Sequence, residues 1–181
     1  MAELRYRLRG VRLAAVVVLA IAAGVVAWLF LRDDGGSDIS VGKPQVVSVQ
    51  ELRDLAASEG HPVYWAGALP KTRLELTKTK NGNIYVRYLD LKGRTGDPRP
   101  KFLTVGTYPL ENAYGALTRT SKRPGAVVAR TPDGALVVTT KAAPTSVYIA
   151  YPKSGLQTEV FDPSAEKARD LAVSGKIQPI E

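Results

Sequence analysis

Few side chains in this sequence can carry chemistry, and none of them stands in a known catalytic spacing. The 181 residues include no cysteine and a single histidine, His61. The lack of cysteine excludes disulfides, thiol catalysis, iron–sulfur clusters and cysteine-ligated zinc. His61 lies between Gly60 and Pro62, where a role in a turn or cap is more common than that of a general base. The sequence therefore predicts neither a metal site nor a cofactor.

Carboxylates are the remaining candidates for acid–base chemistry, and they are scattered along the chain. The candidates are Asp90, Asp97, Glu111, Asp133 and Asp162. Their spacing gives no reason for two of them to flank a scissile bond, as the carboxylate pair of a glycosidase does. The chain also lacks the phosphate-binding, dinucleotide-binding and zinc-protease motifs. No catalytic residue is predicted, and a hydrolase of envelope polymers that uses Asp90, Asp97 and Asp133 is kept as a lesser alternative.

Positive charge is the strongest chemical signal, because residues 71–101 contain nine lysines and arginines against three acidic residues. Apolar residues alternate along the two strands predicted here, which places Arg73, Tyr85 and Arg87 on the opposite face. Cations interleaved with a tyrosine can bind phosphate or carboxylate polymers. The predicted ligand-binding residues are Arg73, Lys78, Lys80, Tyr85 and Arg87. The alternative is a solvated hairpin whose lysines protect an exposed sheet edge.

A long apolar segment follows a basic N-terminus. Residues 13–31 read LAAVVVLAIAAGVVAWLFL, without a charged residue. As a helix this segment spans about 28 Å, close to the hydrocarbon thickness of about 30 Å in a bilayer. The arginines that precede it are Arg5, Arg7, Arg9 and Arg12. The positive-inside rule then predicts cytoplasmic residues 1–12, a transmembrane helix at 13–31 and an extracytoplasmic remainder. A cleavable signal peptide is the alternative, although its apolar core is shorter.

The chain beyond the apolar segment divides into a linker and one folded domain. Residues 32–45 include the polar, glycine-rich run DDGGSD and predict a flexible linker, and residues 46–181 predict an extracytoplasmic domain. The net charge of +8 is shared equally between residues 1–32 and the rest of the chain. Half of the excess charge therefore orients a membrane helix, and no nucleic-acid partner is expected.

Turn signals and alternation predict the elements of the domain. Ser48 and Glu51 form a capping box for a helix that ends near Ser58. Asn81-Gly82 predicts a type I′ hairpin, and Pro109 is predicted to open a second helix. Asp162 is predicted to cap a last helix that Pro163 opens and Gly175 ends. Further strands are predicted at residues 63–66, 102–105, 126–130, 135–141, 146–151 and 156–161.

The order of these elements favours one fold class. Consecutive hairpins with interspersed helices predict an α+β domain in which helices cover an antiparallel sheet. Residues 72–82 and 145–155 resemble each other weakly at a constant offset. This similarity predicts, as one arrangement of the domain, two halves that each consist of a helix and three strands.

Three sequence blocks follow the basic N-terminus and the single apolar segment along the chain: GHPVYWAG at 60–67, FLTVGTY at 102–108 and SVYIAYP at 146–152. In this arrangement the chain resembles a group of bacterial single-pass membrane-anchored proteins of unknown function. The resemblance implies an architecture and marks no active site. The predicted function is a non-enzymatic module of the cell membrane that contacts a partner protein or an anionic envelope component. An accessory subunit of a larger membrane or envelope complex is the alternative.

Overall fold

The computed structural model describes residues 39–180, which form a mixed α+β domain. The strands are β1 (Gln45–Val47), β2 (Tyr64–Trp65), β3 (Thr72–Lys78), β4 (Ile84–Asp90), β5 (Thr104–Pro109), β6 (Ala126–Arg130), β7 (Leu136–Thr140), β8 (Ala143–Ala150), β9 (Leu156–Phe161) and β10 (Gln178–Pro179). The helices are α1 (Val49–Glu59), α2 (Ala113–Ser121) and α3 (Ala165–Val173). Eight strands form one antiparallel sheet in the order β1-β3-β4-β5-β9-β8-β7-β6, and β2 pairs with β10. The predicted α+β class with an antiparallel sheet and covering helices is confirmed.

One face of the large sheet is the hydrophobic core, because alternate residues of its strands are apolar. A row of directly opposed residues, each at most 1% exposed, crosses five strands: Leu76, Val86, Val105, Val160 and Val147. The helices α1 and α3 contribute further buried side chains to the same cluster, namely Leu52, Leu55, Ala168 and Ala172. This face therefore supplies most of the apolar burial that stabilises the domain.

The segment that contains β2 is tied to the core face by buried hydrogen bonds. The backbone N–H of Tyr64 donates to Oγ1 of Thr107 at 2.9 Å. The Tyr88 hydroxyl accepts from the N–H of Ala66 at 2.7 Å and donates to the carbonyl of Gly67 at 3.1 Å. Burial raises the pKa of Tyr88 to about 12. These bonds satisfy backbone groups of the connecting segment that would otherwise be buried without partners.

The opposite face of the sheet is polar and aromatic at its centre. Its central row of directly opposed residues is Thr77, Tyr85, Gly106, Glu159, Tyr148 and Val138. Towards β7 the helix α2 covers this face, where Ala113 and Leu117 pack with Leu136 and Val138. Towards β3 and β4 the cover is the connection between β4 and β5. This connection includes residues 91–101, which we name the basic loop.

The turn between β3 and β4 differs from the predicted type I′ hairpin. Among its residues only Gly82 has a positive φ, of 77°, whereas a type I′ turn needs two such residues. The N–H of Thr79 bonds the carbonyl of Asn83 at 2.8 Å, and the N–H of Gly82 bonds the carbonyl of Thr79 at 3.1 Å. These bonds close a three-residue loop in which a turn is followed by a left-handed glycine. A hairpin was predicted correctly, and its turn type was predicted wrongly.

The predicted helix starts are correct for α1 and wrong for the other two helices. Ser48 caps α1 in a capping box with Glu51, and Gly60 follows it with a φ of 69°. Pro109 is the last residue of β5, and the cap of α2 is Asn112. Ser164 caps α3, while Asp162 accepts a hydrogen bond from the N–H of Ser164 at 2.8 Å. In both helices a capping side chain a few residues later than predicted satisfies the first free N–H groups.

The start of the described chain already belongs to the sheet. Val41 forms a bridge with Lys78, and the N–H of Gly42 donates to the carbonyl of Lys78 at 2.7 Å. Residues 41–45 thus lie against β3, although the sequence predicts them as the end of the linker. The predicted transmembrane helix at 13–31, the cytoplasmic segment 1–12 with its four arginines and the linker residues 32–38 lie outside the described residues. Within residues 39–180, no helix is long and apolar enough to cross a membrane.

The strand order divides the sheet into two sides of four strands. The first side is β1, β3, β4 and β5, and the second is β9, β8, β7 and β6. The two sides meet where β5 pairs with β9, from Thr104 opposite Phe161 to Pro109 opposite Leu156. Each side therefore holds four strands, where the predicted halves hold three.

The close approach of Tyr108 to Gly106 leads to a stability prediction. A Cβ on Gly106 would lie 2.6 Å from the hydroxyl oxygen of Tyr108, whose ring lies over this position. We expect Gly106→Ala to lower the free energy of unfolding by about 1–3 kcal/mol, as overpacking does. Gly155→Ala is the matched control, because a Cβ there meets nothing within 4 Å. Urea denaturation measures both, and equal stabilities of the two variants would contradict the proposed clash.

Candidate functional site

The basic loop is supported by a buried ion pair on the polar face of the sheet. Glu75 of β3 and Arg87 of β4 are directly opposed, and Nε of Arg87 lies 3.0 Å from Oε1 of Glu75. Their side chains are 2% and 15% exposed. Burial raises the pKa of Glu75, while the N–H of Gly96 and the charge of Arg87 lower it in part. Because a buried carboxylate is costly without partners, Glu75 depends on both groups.

The same two residues hold the backbone of the basic loop. Oε2 of Glu75 accepts from the N–H of Gly96 at 2.6 Å, and Arg87 donates to the carbonyl of Asp97. Arg73, also on β3, donates to the carbonyl of Gly93 at 2.5 Å. The Arg87 guanidinium lies 5.4 Å from the centre of the Phe102 ring, in cation–π geometry. The loop is therefore fixed to the sheet along most of its length by charged side chains.

Asp97 is the anionic centre of the loop itself. Its carboxylate is 2% exposed and accepts two bonds from Arg99, from Nε at 2.9 Å and from a terminal nitrogen at 2.6 Å. Nζ of Lys101 lies 3.2 Å from the same carboxylate. The hydrogen bond from Arg99 is the main reason that the pKa of Asp97 lies far below its usual range. Asp97 thus stays ionised and orients two cations whose side chains are 68% and 42% exposed.

The outer surface of this region is rich in cations. The exposed lysines and arginines in and beside the loop are Lys71, Lys92, Arg94, Arg99 and Lys101. Asp90 is the exposed carboxylate next to them, and it accepts from the N–H of Lys92 at 2.8 Å. The acidic residues Glu75 and Asp97 lie beneath this surface, where Glu75 pairs with Arg87 and the single charge of Asp97 is shared by Arg99 and Lys101. The loop therefore presents positive charge to solvent while Arg73, Glu75 and Arg87 hold its backbone on the sheet.

The structure separates the five predicted ligand-binding residues. Arg73, Tyr85 and Arg87 share the polar face, as predicted, but Tyr85 is only 8% exposed and Arg73 and Arg87 are half-buried beneath the basic loop. Lys78 lies on the other face, where its Nζ is 2.5 Å from Glu59 of α1. Lys80 is exposed in the hairpin turn. The predicted open basic face is therefore not formed by these residues, because the loop between β4 and β5 covers it.

A second polar group lies at the centre of the sheet, where the sequence prediction has none. The Tyr108 hydroxyl donates to Oε2 of Glu159 at 2.5 Å, and Glu159 is 6% exposed. The rings of Tyr108 and Tyr85 pack edge to face with centres 5.7 Å apart. Burial, with a further contribution from the charge of Glu159, raises the pKa values of Tyr108 and Tyr148. Both phenols therefore remain protonated donors beside this carboxylate.

The carboxylates considered for hydrolysis are used in local structure. Asp133 accepts hydrogen bonds from Thr131 and from the Tyr151 hydroxyl, and it lies between β6 and β7, towards the opposite edge of the sheet from the basic loop. Asp90 and Asp97 have the partners described above. His61 contacts the carbonyl of Pro62 at 3.0 Å, in agreement with a turn role. Among residues 39–180, no three histidine or acidic side chains are grouped so that they could hold a metal ion.

Comparison with protein-family models, with curated proteins and with solved structures gives no match to this chain. The resemblance to membrane-anchored bacterial proteins therefore stays a prediction.

The buried ion pair beneath the loop leads to a second stability prediction. Arg87→Met leaves the Glu75 carboxylate buried without its cation, and we expect a loss of about 3–5 kcal/mol in the free energy of unfolding. Lys78→Met breaks the more exposed pair with Glu59 and is the matched control, with an expected loss of about 1 kcal/mol or less. Guanidinium denaturation measures both.

A double variant tests the cause of this loss. Because Glu75→Gln removes the unpaired charge, the variant Arg87→Met, Glu75→Gln should recover part of the stability lost in Arg87→Met. A double variant that is as unstable as the sum of the two single variants would show that the two charges are not coupled.

Proposed function

We propose that the chain is a membrane-anchored extracytoplasmic binding module, without enzymatic activity, that contacts an anionic component of the cell envelope through the basic loop. The observation that carries the proposal is the arrangement of charge around the loop. Cations point outwards while the acidic residues that hold the loop lie beneath it. A preformed cationic surface loses little conformational entropy when it binds, which favours recognition of an anion.

The membrane anchor in this proposal depends on the sequence alone. The apolar segment 13–31 follows Arg5, Arg7, Arg9 and Arg12, and this charge asymmetry supports an extracytoplasmic position for the domain. The similarity of residues 72–82 and 145–155 also supports a duplication, and two related halves form part of the same proposal. The sheet has four strands on each side of the β5–β9 pair, which would be the present form of these halves. In this position the anionic components within reach are lipid headgroups and wall polymers.

The alternative function is an accessory subunit of a membrane or envelope complex. The observation that favours it lies at the other edge of the sheet, where Val128 of the edge strand β6 is 48% exposed. An open edge strand with an apolar side chain can pair with a strand of another protein. The exposed cations Lys122 and Arg123 lie between α2 and this strand. The two functions thus use different ends of the sheet.

Neutralisation of loop cations tests the first function. We expect Lys92→Gln, Arg94→Gln to weaken binding to an anionic probe about 30-fold, since each cation near an anionic surface contributes about 1 kcal/mol. Full-length protein in phosphatidylcholine nanodiscs is titrated with phosphatidylglycerol vesicles and with soluble polyphosphate, at about 0.05 M and 0.5 M salt. Lys122→Gln, Arg123→Gln is the matched control and should bind as the wild type does. Binding that is insensitive to both salt and the loop variant would rule out the electrostatic function.

The absence of native cysteine allows a direct test of topology. Lys141→Cys places one thiol at an exposed turn between β7 and β8, and Ala2→Cys places one in the predicted cytoplasmic segment. In intact cells a membrane-impermeant maleimide should label the first variant and leave the second unlabelled until the membrane is permeabilised. The opposite labelling pattern, or loss of the protein from the membrane fraction, would contradict the proposed anchor and orientation.

A further inference from the structure

The most exposed of the large hydrophobic side chains in residues 39–180 belongs to the basic loop. Leu91 is 66% exposed and occupies the tip of a turn after β4. The N–H of Gly93 closes this turn on the carbonyl of Asp90 at 3.0 Å. A Cβ on Gly93 would lie 3.1 Å from the Phe102 ring and from Leu89, so glycine permits the close packing of the turn. A fixed backbone therefore holds Leu91 away from the core.

Exposed cations flank this apolar tip, and the exposed carboxylate of Asp90 directly precedes it. Lys92 and Arg94 follow Leu91 in the loop and are exposed. Lys71 is also exposed and directly precedes Thr72, which is opposed to Asp90 across the β3–β4 pair. An apolar side chain between lysines and arginines matches the boundary between anionic headgroups and acyl chains. A hydrated polyanion offers no such apolar layer, so Leu91 favours a lipid surface over a wall polymer.

The edge of the sheet at β1 carries two further exposed apolar side chains. Val41 and Val46 are 48% and 44% exposed and lie on or beside the edge strand β1. Val46 is opposed to Glu75, on the face that the basic loop covers. The loop reaches this edge, since a Cβ on Gly96 would lie 3.3 Å from Pro44. Val41 bridges Lys78, at the end of β3 remote from Thr72 and the Leu91 turn, so of the two valines only Val46 lies near the basic loop.

We propose that the basic loop docks on the surface of an anionic bilayer, with Leu91 inserted between the lipid headgroups. This inference rests on the proposed function and names its ligand as the membrane itself. The predicted span ends at residue 31, and the seven residues up to the described domain reach at most about 25 Å when fully extended. Such a short tether keeps the loop at high effective concentration near the lipid. A second copy of the chain is a poorer occupant, because it would bring like charges together.

The experiment uses a single reporter at the tip of the loop. Leu91→Cys creates the one thiol of the full-length chain, which is labelled with a nitrobenzoxadiazole dye and reconstituted in nanodiscs that contain brominated lipid. Val128→Cys is the matched control, since Val128 is 48% exposed on the opposite edge strand β6. In phosphatidylglycerol nanodiscs we expect quenching at position 91 to exceed quenching at position 128 several-fold. In phosphatidylcholine nanodiscs, or with Lys92→Gln and Arg94→Gln added, the excess should disappear.

The outcomes separate this inference from the proposed function. Equal quenching at positions 91 and 128, in protein whose polyphosphate binding depends on Lys92 and Arg94, would overturn membrane docking and leave the anion-binding function intact. Dye self-quenching at position 91 that grows with the number of chains per disc would overturn it in favour of a second copy. Loss of both quenching and polyphosphate binding would reject the inference together with the proposed function. Selective quenching that high salt abolishes would support docking.

Discussion

The ion pair between Glu75 and Arg87 is the interaction on which the candidate site depends. Charges taken out of water on a sheet need partners, and here Glu75 and Arg87 pair with each other and each forms one hydrogen bond with the backbone of the basic loop. The loop is thereby ordered without a hydrophobic core of its own. The loop backbone lowers the cost of burying these charges, and the charges in turn hold the loop in place. Loss of either one should therefore destabilise the other.

The sequence predicts the fold better than the site. The alternation of Leu74, Leu76, Ile84 and Val86 predicts two strands and the face that each residue occupies. The capping box at Ser48 predicts α1 with its boundaries. The errors at Pro109 and Asp162 share one cause, because proline and aspartate favour several local structures near a helix start and only tertiary contacts choose among them. The order of the eight strands depends on pairs distant in the chain, and one sequence holds no signal for them.

The sequence indicates the charge of the region that holds the candidate site but not the arrangement of its side chains. A count of nine cations against three acids in residues 71–101 located the region. It could not distinguish cations that face solvent from those that neutralise Glu75 and Asp97, since that depends on how the loop folds over the strands. Alternation places Tyr85 and Arg87 on the second face, and nothing in the sequence predicts the loop that covers this face. Glu159 was missed because it meets Tyr108 only through the pairing of β5 with β9.

The junction of β5 with β9 has a consequence for how the molecule assembles. Within each side of the sheet, β3-β4-β5 and β6-β7-β8-β9 are consecutive hairpins with local contacts, while Tyr108 and Glu159 stand 51 residues apart in the chain. Contacts close in sequence form before distant ones, since less loop entropy is lost. Two partial sheets should therefore arise first, each with an unpaired strand at its inner border. Until β5 and β9 join, these borders can capture strands of neighbouring chains, so the slowest pairing step is also the one most open to aggregation.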